Sequence, residues 1–226
     1  MSEKIKIIED GPYLVSPGVP LKINIIECAG DGLPEKWAEG KTYDTQGKPY
    51  ALCRCGRSKT KPFCDGAHTS CRWNKKETAQ NIPYMQSAQK CAGPRADLLD
   101  KEELCAVARF CDRHGQVWNL IEKDDETSLK LAIEEACNCP AGRLTVVKDG
   151  KVIEPQLPRE IGVVQDPAMK HRGPLWVKSG IELEGAKGVK YETRNRMTLC
   201  RCGESSNMPF CDATHLRCPH MKGADE

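Results

Sequence analysis

The sequence predicts an α+β protein in which two small β-rich units flank a helical middle segment. The 226-residue chain holds 14 cysteines, 19 glycines and 15 prolines, and only 5% of its residues are aromatic. A chain so poor in large apolar side chains cannot rely on one large core, so disulfides or bound metals must stabilise its fold. Similar segments also recur near both ends, and the sequence between them changes character.

An internal repeat defines the two β-rich units. The segment GPYLVSPGVPL begins at Gly11, and its counterpart GPLWVKSGIEL begins at Gly173. Further on, LCRCGRSKTKPFCDGAH from Leu52 matches LCRCGESSNMPFCDATH from Leu199. The first pair is offset by 162 residues and the second by 147, so the first copy carries 15 extra residues. We assign them to a longer hairpin loop over Gly30–Gly47.

Short apolar runs broken by Gly and Pro predict the strands of both units. These runs are Ile5–Ile8, Tyr13–Val15, Leu21–Ile26, Leu175–Val177 and Ile181–Leu183.

The middle segment has a helical pattern followed by a hairpin. Apolar residues among charges predict a helix over Asp97–His114 and a second over Thr127–Ala136. Arg143–Val147 then reads as a strand, and the Asp-Gly pair at 149–150 predicts a turn into Lys151–Ile153.

These patterns divide the chain into four parts. We predict an N-terminal unit over 1–78, a central segment over 79–153, a Pro-rich linker over 154–165 and a C-terminal unit over 166–226.

Composition argues against several classes of function. The N-terminal MSEKIKIIEDG has no apolar stretch of the secretory type, and no apolar run approaches the roughly 18 residues that suggest a membrane span. We therefore expect a cytoplasmic protein with no membrane partner, whose reduced cysteines are metal ligands, catalytic groups or buried thiols. A net charge of +2 with both signs mixed gives no basic patch for nucleic acid.

Each repeat contains three cysteines and one histidine at identical spacing. They are Cys53, Cys55, Cys64 and His68 in the first copy, and Cys200, Cys202, Cys211 and His215 in the second. Residues two apart in an extended segment point to the same face, so each Cys-x-Cys pair can hold one metal atom. A Cys and a His four apart share a helical face and can hold a second. Recurrence of all four residue types argues against incidental core cysteines. Structural zinc stays open, because three thiolates and an imidazole also satisfy Zn²⁺.

The segment CRCGRSKTKPFCDGAH resembles the CDGSH iron–sulfur (mitoNEET-like) family, whose pattern is C-x-C-x2-(S/T)-x3-P-x-C-D-G-(S/A/T)-H. The first copy fits every position, and the second departs only at Ala213, where the pattern has Gly. The resemblance implies a 2Fe-2S cluster in each motif, with the Cys-x-Cys pair on an inner iron and the Cys/His pair on an outer, more exposed one. Family members with one motif usually form homodimers, so two motifs in one chain imply a monomer with an internal pseudo-dimer. Ala213 is not a ligand, but Gly there serves a conformation that Ala tolerates less well.

The middle segment resembles part of a ferredoxin. The run from Cys105 to Cys111, followed by a Cys-Pro pair at Cys139, is similar to a ferredoxin cysteine run with Ala108 at its central cysteine. The segment CPAGRL is similar to the ending of divergent single-cluster ferredoxins. Cys105, Cys111 and Cys139 are the set that a 3Fe-4S cluster needs.

Two questions stay open for the remaining cysteines. A 4Fe-4S cluster needs Cys137 or Cys91 as a fourth ligand. The competing interpretation makes LCAVARFC an amphipathic helix whose cysteines are packed or form a redox thiol pair, since ferredoxin cysteine runs normally lie in loops. Cys28, Cys71 and Cys218 have no partner spacing, and we predict that they are simply packed.

We expect a one-electron carrier with two exposed clusters and a redox protein as partner. No catalytic arrangement is legible, so we do not expect an enzyme. The alternatives are a storage or delivery protein for an apo iron–sulfur acceptor, and a zinc-stapled interaction module. The single histidine removes negative charge from a cluster, which raises its reduction potential. Because protonation of His68 or His215 competes with iron, the potential and cluster retention should depend on pH.

Overall fold

The computed structural model describes residues 3–225 and confirms the α+β class. Its strands, in chain order, are β1 (Lys4–Ile7), β2 (Tyr13–Val15), β3 (Leu21–Cys28), β4 (Pro34–Tyr43), β5 (Tyr50–Leu52), β6 (Gln89–Ala92), β7 (Asp97–Asp100), β8 (Leu144–Lys148), β9 (Lys151–Ile153), β10 (Ile161–Asp166), β11 (His171–Lys178), β12 (Glu182–Glu184) and β13 (Arg196–Leu199). Its α-helices are α1 (Tyr84–Ser87), α2 (Val117–Ile121) and α3 (Glu126–Cys137).

Two of the sheets are built to one plan. Sheet A has the order β12-β1-β2-β5, and sheet B has the order β13-β11-β10-β3-β4. In sheet A, Tyr13 of β2 lies opposite Leu52 of β5. In sheet B, Leu175 of β11 lies opposite Leu199 of β13. Residues related by the two repeat offsets therefore occupy equivalent places, which makes the sequence repeat a structural repeat.

Each of these sheets is completed by a strand from the other repeat. Strand β12 runs parallel to β1, with Leu183 opposite Ile5. Strand β3 runs parallel to β10, with Leu21 opposite Ile161. Leu21 and Leu183 are themselves 162 residues apart, so the exchange is reciprocal. The expected internal pseudo-dimer is therefore present, as two strand-exchanged units.

One apolar core joins the two units. It combines side chains of both repeats, including the fully buried Tyr13, Leu21, Leu175 and Ile181. Complete burial of a large apolar side chain stabilises a fold by roughly 1.5–3 kcal/mol. Because strands from both repeats contribute to the same core, neither unit has a complete core of its own.

The predicted linker over 154–165 is wrong in its second half. Residues 161–166 form β10, which is buried along its whole length between β11 and β3. A strand covered on both faces is apolar without alternation, so its pattern is weak beside the prolines that precede it. Residues 161–165 therefore belong to sheet B rather than to a linker. The predicted loop over Gly30–Gly47 is also mostly strand, because β4 occupies 34–43 and pairs with β3.

The middle segment forms a third sheet, in the order β6-β7-β8-β9, against which α3 packs. The predicted helix over Asp97–His114 is wrong. Residues 97–100 form β7, whose Leu98 and Leu99 are buried in two different apolar clusters on opposite faces. Consecutive buried leucines gave this strand a helix-like pattern. The remainder is a loop with short 3-10 turns over 102–104 and 110–112.

Other predictions for the middle segment are confirmed. The second helix is α3, whose first turn is capped by Asp125, since its carboxylate accepts the backbone N–H of Ser128 at 2.8 Å. The hairpin joins β8 to β9 through residues 149–150. None of the helices described within residues 3–225 has the length and apolar character needed to cross a membrane.

Candidate metal centres

Each motif lies in a loop that follows an edge strand of its sheet, β5 in the first copy and β13 in the second. In the first copy, the backbone N–H of Cys53 donates to the carbonyl of Pro62 at 2.8 Å, and the Ser58 hydroxyl donates to the carbonyl of Phe63 at 2.6 Å. In the second copy, Cys200 donates to Pro209 at 2.8 Å, and the equivalent serine hydroxyl closes the same loop. The Ser and Pro positions of the motif therefore fold the loop.

The motif aspartate holds both ends of the loop. The Asp65 carboxylate accepts the backbone N–H groups of Lys59 at 2.8 Å and Ala67 at 3.0 Å. Those N–H groups hold the pKa of Asp65 below its usual range. Asp212 accepts equivalent bonds from residues 206 and 214. Ligand spacing gave no sign of this role, because the aspartate stands outside the ligand set.

The four predicted ligands of each motif come together as two pairs. In the first motif, the sulfurs of Cys53 and Cys55 are 3.8 Å apart, and Cys64 Sγ lies 3.3 Å from His68 Nδ1. In the second motif, both corresponding distances are 3.4 Å, between Cys200 and Cys202 and between Cys211 and His215. Across residues 3–225, no three His, Cys, Asp or Glu side chains are arranged to hold a single metal ion. The repeated unit is therefore a Cys/Cys pair beside a Cys/His pair.

The two motifs share an unusual backbone conformation just before the histidine. Gly66 has φ 87° and ψ −2°, and Ala213 has φ 68° and ψ 0°. Both lie in the left-handed region, which favours glycine. The prediction that Gly serves a special conformation at this position is confirmed, and Ala213 adopts that conformation at a cost.

Burial distinguishes the two motifs. The inner pair is buried in both, but Cys64 and His68 are half-buried, whereas Cys211 and His215 are only 3% and 5% exposed. Burial lowers the pKa of His215 to about 4, which keeps its imidazole in the neutral form that binds metals. The expectation of two exposed sites is therefore wrong for the second motif.

The middle segment covers the second motif. Cys211 packs in one apolar cluster with Leu104, Ala106 and Ala141. His215 lines a small cavity together with residues 106–108 and Pro140. Cys64 and His68 of the first motif are only half-buried, so identical ligand sets stand in different surroundings.

The backbones that follow the two Cys-x-Cys pairs contact each other, at Gly56 in the first motif and Gly203 in the second. A Cβ added at Gly56 would lie 2.6 Å from the carbonyl oxygen of Cys202, and one added at Gly203 would lie 2.5 Å from that of Cys55. Contacts this close leave no room for any side chain at either position. The Cys-x-Cys pairs of both motifs therefore belong to one buried cluster.

Three cysteines of the middle segment line a cavity of about 190 Å³, and these are Cys105, Cys111 and Cys139. The chain from 105 to 109 is a loop, in which Val107 and Arg109 have left-handed φ angles of 52° and 64°. Such a conformation is strained for a β-branched residue and often turns backbone N–H groups toward an anion. The interpretation of LCAVARFC as an amphipathic helix is wrong. Because these residues form a loop, as ferredoxin cysteine runs normally do, the objection to a cluster in this segment no longer applies.

The two other cysteines of the middle segment stand apart from this cavity. Cys91 lies on β6 and Cys137 ends α3, and neither belongs to the cavity lining. Arg143 does line it, and the carboxylate of Asp100 holds its guanidinium through two bonds of 2.6 and 2.9 Å. Burial raises the pKa of Cys111 to about 12, so a metal is needed to keep this thiol ionised.

Family models match three stretches of the chain. The family described as iron-binding zinc finger CDGSH type matches residues 10–69 and 172–216. The family described as divergent 4Fe-4S mono-cluster matches residues 91–149. No curated protein and no solved structure matches the chain significantly. The matched stretches contain both four-residue motifs and all five cysteines of the middle segment.

Proposed function

Because the chain is a tandem member of the CDGSH family with a divergent mono-cluster ferredoxin segment between its motifs, we propose that this iron–sulfur protein is a one-electron carrier rather than an enzyme. It would hold a 2Fe-2S cluster at each motif. The observation that carries this proposal is the pairing of ligands in both motifs. Two metal atoms bridged by sulfide need two separate ligand pairs, whereas one zinc ion needs four donors around a single point.

The residues present fit such a group chemically. Cysteine thiolates are the usual ligands of iron–sulfur clusters, and a neutral imidazole in place of one thiolate raises the reduction potential. When bound, the clusters supply reversible one-electron chemistry. The chain contributes the burial of both inner pairs, which excludes water, and backbone N–H groups on the sulfurs. Arg57 N donates to Cys55 Sγ at 3.5 Å, and Gly66 N donates to Cys64 Sγ at 3.4 Å.

A third cluster in the middle segment is part of the proposal. Cys105, Cys111 and Cys139 share one cavity, while Cys91 and Cys137 lie outside its lining. A set of three thiols favours a 3Fe-4S cluster over a 4Fe-4S cluster, which needs a fourth ligand. The guanidinium of Arg143 in the cavity wall offsets part of the negative charge that three thiolates and sulfides bring.

The arrangement also suggests where a redox protein docks. Cys64 and His68 are half-buried and open to the surface, so a partner can approach the first motif. The second motif lies under the middle segment, next to the loop that carries Cys105. We therefore assign exchange with other proteins to the first motif, and exchange within the chain to the second.

One observation favours delivery of clusters as a second candidate function. Since only the first motif has a partly exposed Cys/His pair, an apo acceptor can reach its ligands without displacing the middle segment. Delivery then predicts loss of iron from the first motif alone. A carrier instead cycles with all of its iron retained.

The test is the metal content and redox behaviour of the anaerobically purified full chain. We expect seven irons, two for each terminal motif and three for the middle, together with eight sulfides, and reversible reduction without iron loss. Replacing Cys105 and Cys111 with Ala should leave four irons, and Cys28→Ser, outside every ligand set, should leave seven. A colourless protein with two zinc ions and no sulfide would overturn the proposal. Transfer of iron to an apo acceptor would favour the second candidate.

A further inference from the structure

Each motif carries a fifth cysteine at the same place. Cys71 follows Cys64 by seven residues, and Cys218 follows Cys211 by seven, so the 147-residue offset of the motif extends to this pair. The prediction that these cysteines have no partner spacing is therefore wrong. Their spacing is visible only when the two repeats are aligned beyond the histidine, because neither belongs to the CDGSH pattern itself.

Both fifth cysteines lie near an inner ligand of their own motif. Cys71 and Cys218 pack in the buried cluster formed by the two Cys-x-Cys pairs. Within that cluster Cys71 lies near Cys55, and Cys218 lies near Cys202. The Cys218 thiol also donates to the carbonyl of Thr214 at 3.4 Å. The same proximity of two thiols therefore occurs twice, at equivalent places.

This proximity has a chemical consequence when a motif lacks metal. A thiol that is bound to iron is unavailable for a disulfide, whereas the metal-free inner cysteine stands next to a second free thiol. We propose that Cys71 and Cys218 are reserve thiols, which form the disulfides Cys55–Cys71 and Cys202–Cys218 in the metal-free chain. The disulfide would protect the inner ligand from irreversible oxidation until reduction restores both thiols for reloading.

Hydrogen peroxide is a sufficient oxidant for this step. The Cys71 thiolate attacks one peroxide oxygen, which breaks the O–O bond and gives a sulfenic acid and hydroxide. The Cys55 thiolate then attacks the sulfenic sulfur, which forms the S–S bond and releases a second hydroxide. Together with the two thiol protons, the products are one disulfide and two waters. Because Cys71 is half-buried and Cys218 is 5% exposed, the first motif should react before the second.

Disulfide formation involves the thiols alone, so it is separate from electron transfer and does not depend on which metal the motifs bind. The full chain is stripped of metal by a chelator under anaerobic conditions and then exposed to hydrogen peroxide. Free thiols are alkylated, and the disulfides are mapped by mass spectrometry of non-reduced peptides. We expect the Cys55–Cys71 and Cys202–Cys218 cross-links in the metal-free chain and neither in the metal-loaded chain.

Variants separate this proposal from a purely structural role. With Cys71→Ser, the first cross-link should be lost and Cys55 should accumulate sulfinic acid, while Cys202–Cys218 still forms. The metal-loaded variant should keep the metal content of the unmodified chain, and Cys28→Ser serves as the matched control in which both cross-links form. Cross-links confined to Cys53–Cys55 and Cys200–Cys202, or an equal rate of irreversible oxidation at Cys55 with and without Cys71, would overturn the proposal.

Discussion

Residue 213 is the position where the two motifs differ in the fit between side chain and backbone. Its left-handed conformation is strained by roughly 1–2 kcal/mol for any residue with a Cβ. Glycine relieves that strain but adds about 0.5–1 kcal/mol of chain entropy to the unfolded state. Ala213→Gly should therefore stabilise the chain by about 0.5–1 kcal/mol. Gly66→Ala should destabilise it by a similar amount, since a Cβ there meets no atom within 4 Å and adds only backbone strain.

The assay is denaturant or thermal unfolding of the metal-loaded full chain. For a chain of this size, 1 kcal/mol shifts Tm by roughly 2–4 °C, upward for Ala213→Gly and downward for Gly66→Ala. Gly30→Ala is the matched control, because Gly30 has an ordinary φ and open space around its Cβ position. This variant should be neutral or slightly stabilised. If Gly66→Ala matched the Gly30 control, or Ala213→Gly lowered the stability, the assignment of strain to this position would be refuted.

Two further expectations follow from burial. On acidification the first motif should lose iron before the second, because protonation of the histidine competes with iron binding. Burial lowers the pKa of His215 to about 4, so its imidazole stays neutral well below pH 6. The Cys64/His68 pair of the first motif is only half-buried and lacks this protection. Iron release and visible absorbance between pH 8 and pH 4 should show two steps, and His68→Cys should remove the earlier one; a single step would contradict this reasoning. Arg196→Met should destabilise the chain by about 3–5 kcal/mol, measured by urea unfolding. The fully buried Arg196 guanidinium pairs with the Glu154 carboxylate at 2.7 and 2.8 Å, and it donates to the carbonyl of Ala136 at the end of α3. Arg95→Ala, which breaks only surface ion pairs, should cost at most about 1 kcal/mol; equal losses for the two variants would show that the buried contacts carry no special weight.

The sequence predicted best what spacing along the chain determines. The two four-residue motifs, α3 and the β8–β9 hairpin all depend on residues close to one another in sequence, and the repeat is visible when its two segments are aligned. The predictions failed where burial on both faces decides the pattern. Strand β10 lies between two strands in the middle of sheet B, and β7 separates two apolar clusters, so neither shows the alternation that marks a half-exposed strand.

Long-range contacts explain what the sequence did not reveal about the sites. The burial of His215 depends on residues 106–108 and Pro140, which are far from it in the chain and take no part in the motif. The position of Cys71 near Cys55 has a different signal in the sequence. The CDGSH pattern ends at the histidine, but the equal spacing of the two repeats continues to Cys71 and Cys218, three residues further.

The middle segment is the physical origin of the asymmetry between the motifs. Two copies of one motif in a symmetric dimer have the same surroundings, so they have the same exposure. Here, by contrast, the segment between the repeats packs on sheet B, where Phe110 stacks on Trp37 at 4.9 Å and Trp37 contacts Trp176 at 4.7 Å. It covers Cys211 and His215, and it leaves Cys64 and His68 open. Because the ligand sets are equal, we expect this cover to make the two motifs differ in iron retention and reduction potential. Carrying both repeats in one chain is what allows an inserted segment to distinguish them.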